Sequence, residues 1–116
     1  MVKNVEHEQT HEILMEFTKE VKNILGESLK KVILYGSYAR GDYHKNSDMD
    51  IMILVSLDDA EISQVENQIY NLSFDFQMEY FVDISVIIKN ETHFNFWLGA
   101  VPFYDNVKRE GVILLG

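Results

Sequence analysis

The sequence predicts a two-layer α+β domain in which a mixed sheet packs against helices. Three observations carry that expectation. Apolar runs at residues 32–35, 51–55 and 80–88 read as buried strands. Two stretches, about 5–25 and 58–72, repeat apolar side chains at intervals of three and four, the spacing of amphipathic helices. The chain has 116 residues, 47% of them apolar, which suffices for one modest core and leaves no room for a second. Residues 1–116 are therefore read as one domain, with an N-terminal helix within 1–26 and the remaining core over 32–116.

In the first helix Ile13, Leu14, Phe17, Val21, Ile24 and Leu25 form the apolar stripe, and Gly26 ends it. Its first turn contains His7-Glu8-Gln9-Thr10-His11, the spacing of a zinc-peptidase pair with a glutamate base. A catalytic zinc needs a third protein ligand and a scaffold around it, so these histidines are read as surface residues of the helix. Lys30 and Lys31 introduce the first strand, 32–35, apolar enough for burial on both faces. Tyr38-Ala39-Arg40 suits a short helix closed by Gly41, and 42–47 forms the return loop. The second strand starts at or just after Asp48. Asp58 and Glu61 have the spacing of a capping box, and Ile62, Val65, Ile69 and Leu72 continue it as a helix. An irregular stretch at 73–79 then leads to a third strand at 80–88. Pro102 suits the first turn of a last helix ended by Gly111, with 112–115 as a final strand or docked tail. The aromatics Phe94, Phe96, Trp97, Phe103 and Tyr104 are read as core rather than as a platform for stacking bases.

The net charge of −9 argues against a surface that tracks a nucleic-acid polymer, which ordinarily needs a basic stripe. A nucleotide is not excluded, because divalent cations can neutralise a triphosphate on an acidic protein. The absence of cysteine excludes disulfides and thiolate metal sites. No apolar run reaches the length of a membrane span or a signal-peptide core, so the expectation is a cytoplasmic protein that does not enter a membrane.

The chemistry is concentrated in Gly36-Ser37-Tyr38-Ala39-Arg40-Gly41 and the following Ser47-Asp48-Met49-Asp50. Asp48 and Asp50, two apart at the entry to a strand, leave the same face of the sheet and repel each other unless a cation lies between them. All-oxygen ligands of this kind suit Mg²⁺ or Mn²⁺ working with substrate phosphates. Gly36-Ser37 offers a closely approachable backbone, a hydroxyl and N–H groups at a helix start, where anions bind. Arg40 reaches either phosphate or a nearby carboxylate such as Asp42. Asp83 is the exception in an apolar run, costly to bury ionised without a partner.

Gly-Ser, ten residues, then Asp-x-Asp resembles the signature of the DNA polymerase beta-like nucleotidyltransferase superfamily, and the fuller wording resembles its minimal nucleotidyltransferase branch, from about Val32 to Gly116. The resemblance implies a polymerase beta-like fold. It also implies a third carboxylate on a neighbouring strand, for which Asp83 is the candidate. Two Mg²⁺ ions would be held by Asp48, Asp50 and Asp83, with ATP as substrate at Gly36, Ser37 and Arg40. That branch includes antitoxins paired with HEPN-domain toxins, so the resemblance implies AMP transfer to a tyrosine of such a toxin, in a hetero-oligomer. Two alternatives stand beside it: a transferase for a small hydroxylated molecule, and a non-catalytic module that neutralises a partner by binding.

Overall fold

The computed structural model describes residues 7–44 and 47–116. Apolar side chains at 13, 14, 17, 21 and 25 give α1 (His7–Leu25) one buried stripe, and a single 3-10 turn over Gly26–Ser28 breaks it from β1 (Leu29–Tyr35). Lys30 and Lys31 thus lie inside the strand rather than ahead of it. A four-residue helix, α2 (Ser37–Arg40), follows, capped by Gly41 in the left-handed conformation. β2 (Met49–Val55) is almost wholly buried. The side chains of His7 and Glu8 fall outside the described residues, and His11 is exposed on α1.

The capping box forms as the spacing predicts. Asp58 Oδ1 accepts from the Glu61 N–H at 2.8 Å, and Glu61 Oε1 accepts from the Asp58 N–H at 3.0 Å. The helix it starts, α3 (Asp59–Tyr80), corrects the expectation of an irregular stretch at 73–79. The spacing of buried residues simply continues from Ile69 to Phe76, whose ring meets Phe17 edge to face at 5.3 Å. Packing against α1 overrides the β preference of this aromatic-rich segment. The third strand consequently starts later than expected, as β3 (Ile84–Asn90), with 81–83 as its lead-in. Then come α4 (Glu91–Phe96), capped by Asn90, α5 (Pro102–Glu110) with Pro102 in its first turn, and β4 (Val112–Leu115).

The sheet order is β3-β2-β1-β4, with β1 antiparallel to β2 and β4 and β2 parallel to β3. Alternation along the strands divides the core. Val32, Leu34, Met49, Ile51 and Ile53 pack with α1 and α3, while Ile33, Met52 and Leu54 pack with Phe94 of α4 and Tyr104 and Val107 of α5. The α+β class and the mixed sheet agree with the sequence reading. The two short C-terminal helices add partial cover to the second face. Among the described residues no helix is long and apolar enough to cross a membrane.

Phe17 is fully buried beneath the long helices, so Phe17→Ala should cost about 3–5 kcal/mol of unfolding free energy in urea titrations. Asp58→Ala, which removes one cap at an exposed helix end, should cost only about 1 kcal/mol.

Candidate active site

The site forms where β1 ends and β2 begins. Antiparallel pairing sets Tyr35 opposite Asp50, and the parallel ladder sets Ser85 beside Asp50 on the other side. Asp50 alternates with Met52 and Leu54, so it leaves the sheet on the α4/α5 face. Gly36 follows Tyr35 directly with φ 78° and ψ −156°, a conformation open essentially to glycine alone. A Cβ at Gly36 would collide with Asp50 Oδ2. The Asp50 carboxylate therefore lies against the Gly36 backbone, and the glycine is required twice, by torsion and by space. The Arg40 N–H donates to the Gly36 carbonyl at 3.0 Å, and the N–H groups of Gly41 and Asp42 donate to that of Ser37, which winds α2 directly onto this contact.

Burial pushes the Asp50 carboxyl above the ordinary carboxylate range; the charge of Asp48 adds to the rise, and Arg40 partly offsets it. Asp48 is exposed one residue before β2. The two carboxylates repel each other, and oxygen donors of this kind suit a hard divalent cation. Asp83 lies just outside β3 and is exposed, which corrects its expected position within the strand; its carbonyl accepts from the Met49 N–H at 2.8 Å, extending the ladder by one rung. Met49 pairs with Ile84, so Asp83 is level with Asp48 at the same end of the sheet. Among the described residues no three acidic, histidine or cysteine side chains converge on a common point, so the three carboxylates are close in the ladder without forming a finished cage.

Arg40 is engaged by carboxylates. Its Nε donates to Asp42 Oδ2 at 3.1 Å and Nη1 donates to Glu110 Oε1 at 3.3 Å, and these two bonds hold its pKa above the ordinary value. The Glu110 contact ties α5 to α2, and the edge-to-face packing of Tyr35 on Phe103 at 5.5 Å ties it to the end of β1.

Sequence reasoning missed the aromatic contacts of Tyr35, beside Asp50, and of Tyr38, on α2. The Tyr35 hydroxyl is pushed up to about 12 by burial and then by Asp50. Tyr38 and Tyr43 stack with ring centres 4.1 Å apart and only 9° between planes, and burial, then Tyr43, raises the Tyr38 pKa. Only the cross-strand register makes Tyr35 a neighbour of Asp50, and no spacing rule announces it. A groove of about 190 Å³ bordered by Lys31, Ile33, Leu54, Phe94, Val107 and Lys108 lies elsewhere on this face and includes none of the candidate site residues.

Two outcomes follow from this geometry. Gly36→Ala should destabilise the protein by about 1–3 kcal/mol in thermal or urea unfolding, because it meets both a forbidden torsion and Asp50. Asp50→Asn should leave the metal-free protein at least as stable as the parent at neutral pH. A raised folded-state pKa means that protonation favours the fold at low pH and that this contribution is lost as pH rises through the folded pKa. The melting-temperature advantage of the variant should therefore shrink as pH falls toward the ordinary carboxylate range.

The family model described as a nucleotidyltransferase domain matches residues 14–114. Two Methanocaldococcus jannaschii proteins, both provisionally named protein adenylyltransferases, are similar over 101 residues. One is 37% identical across 87% of this chain and 94% of the relative; the other is 35% identical across 87% and 93%. Among solved structures, a Sulfolobus solfataricus nucleotidyltransferase, likewise provisionally named, superposes with a TM-score of 0.61 at 21% identity, covering 89% of this chain and 77% of that one. A toxin–antitoxin structure with AMP-PNP superposes with a TM-score of 0.56 at 21% identity, covering 88% and 73%. At those identities the two structures speak for the fold. With the glycine–serine turn seated against the Asp50 carboxylate and the family model spanning nearly all of the sequence, the chain belongs to the nucleotidyltransferase domain family.

Proposed function

We propose that this nucleotidyltransferase moves AMP from ATP to a protein acceptor, a tyrosine of a cognate HEPN-domain toxin, and thereby acts as an antitoxin. The observation that carries the reading is the contact of Asp50 with the Gly36 backbone, which sets a carboxylate against the glycine–serine turn that is the candidate phosphate site. The names of the Methanocaldococcus jannaschii relatives support a protein acceptor, and the AMP-PNP-containing toxin–antitoxin structure supports the nucleotide and the partner class.

In this reading Asp48 and Asp50 hold Mg²⁺, with Asp83 as the third candidate ligand. Bound there, two divalent ions would sharpen the attacking oxygen and neutralise charge on the leaving one. The hydroxyl and N–H groups of Ser37 hold the β and γ phosphates. The acceptor hydroxyl attacks the α-phosphorus, an oxygen–phosphorus bond forms, the bond to pyrophosphate breaks, and the hydroxyl proton passes toward Asp83. Positioning and charge stabilisation account for the rate. Arg40, with Nε on Asp42 and Nη1 on Glu110, keeps further N–H donors that a phosphate could engage, so it remains a candidate nucleotide contact beside Ser37.

The test is incubation with labelled ATP, Mg²⁺ and the product of the neighbouring gene, followed by mass analysis of both proteins. An AMP-sized adduct on the partner is expected. Asp48→Asn and Asp50→Asn should each lower transfer by about 100-fold or more, since even residues that merely support metal ligands are worth 10–100-fold, whereas Ser37→Ala should be milder. Mg²⁺ should also raise the melting temperature of the parent and not of Asp50→Asn. Transfer solely to small hydroxylated compounds would defeat the protein acceptor, and neutralisation of the partner by a triple Asp variant without any adduct would defeat the enzymatic antitoxin.

A further inference from the structure

Helix α3 carries two apolar faces. Ile62, Ile69 and Phe76 are buried against the sheet and α1. On the side turned away from them Tyr70, Phe74 and Met78, spaced four apart, are 44%, 58% and 62% exposed, and Phe81 at the helix end is 89% exposed. Scattered single exposed hydrophobics are ordinary, but a row of four along one helix face, ending in a ring almost wholly in water, is not.

Phe81 adds a second observation. It occupies the left-handed cap position with φ 58° and ψ 39°, and it is the sole non-glycine residue with positive φ among the described residues. Glycine or asparagine ordinarily stands there, because a side chain strains that conformation. A phenylalanine that strains the backbone and leaves its ring in solvent returns nothing to the stability of the isolated chain. A role outside the chain accounts for both facts.

Charge selects the occupant. Asp59, Glu61, Glu66, Asp75 and Glu79 lie on α3, and the helix has no lysine, arginine or histidine. Two copies meeting through this face would set two such acidic helices against each other, and the chain as a whole carries −9. A protein surface of apolar side chains ringed by lysine and arginine is complementary to it. The row also ends two residues before Asp83, at the end of the sheet where the carboxylates stand.

We propose that the face of α3 from Tyr70 to Phe81 is the docking surface for the acceptor protein, which meets it through an apolar patch rich in lysine and arginine and is thereby held beside the catalytic cleft. This rests on the reading that the acceptor is a protein.

The test measures binding separately from chemistry. Asp50→Asn protein is titrated with the product of the neighbouring gene by calorimetry at low and high salt, alone and combined with Phe74→Glu or Phe81→Gly. Melting temperature and sedimentation of each variant are recorded alongside. The expected result is a chain that sediments as a monomer and a complex that weakens with salt. Phe74→Glu should weaken the complex by about 30-fold or more, the scale of an interface anchor, with an unchanged melting temperature. Phe81→Gly should move the two readouts in opposite directions, raising the melting temperature while weakening the complex, which a purely structural residue would not do. A complex indifferent to both substitutions overturns the surface and leaves the protein acceptor standing. A homodimer of the chain alone that Phe74→Glu dissolves assigns the face to a second copy and overturns the proposal. Absence of any complex overturns both the surface and the protein-acceptor reading.

Discussion

The Asp50 carboxylate occupies the space that any side chain at Gly36 would need, and the rest of the site depends on that contact. It exists because β1 and β2 pair in a register that sets Tyr35 opposite Asp50 and places the next residue over the carboxylate. A one-residue slip would turn Asp50 toward α1 and α3 and bring Met49 or Ile51 into the site. The buried faces prevent that slip, since Ile33, Met52 and Leu54 would then trade places with residues of the larger core. Packing energy spread over the sheet is thus what fixes a close polar approach at its end.

The same contact sets Asp50 in an unfavourable electrostatic position. Asp50 is partly withdrawn from water beside a second carboxylate, and the nearest positive charge, Arg40, is already shared between Asp42 and Glu110. Such pre-organisation of unfavourable charge is common where charge must be met during a reaction. Tyr35, packed edge to face on Phe103, borders Asp50, while the Tyr38–Tyr43 stack sits with α2 toward the larger core.

How much of this was legible in the sequence varied with the kind of constraint. Gly36-Ser37 and Asp48-x-Asp50 were readable because local rules, a turn and a two-residue alternation, dictate their geometry. The capping box at Asp58 and Glu61 was readable for the same reason. The second half of α3 was not, although Ile69, Leu72 and Phe76 continue the helical spacing, because Phe74 and Met78 on the opposite side blur the amphipathic contrast and aromatic residues suggest a strand. Tyr35 beside Asp50, Ser85 on the other flank and Glu110 on Arg40 were invisible, since each depends on a pairing register or on a contact 70 residues apart in the chain. Asp83 was found by its chemical oddity among apolar neighbours and misplaced by the strand boundary.

The length of α3 also sets where Asp83 lands. Twenty-two helical residues extend about 33 Å, while a seven-residue strand extends about 23 Å, so the helix over-runs the strands it crosses by about 10 Å. The chain must recover that distance before β3 can enter the ladder beside β2. Residues 81–83 make that return, and the left-handed turn at Phe81 supplies the reversal of direction. Asp83 is therefore the first residue able to rejoin the sheet, and its carbonyl does so on Met49. The span of a surface helix and the place of a carboxylate at the opposite margin of the domain are one measurement, taken along a single piece of chain.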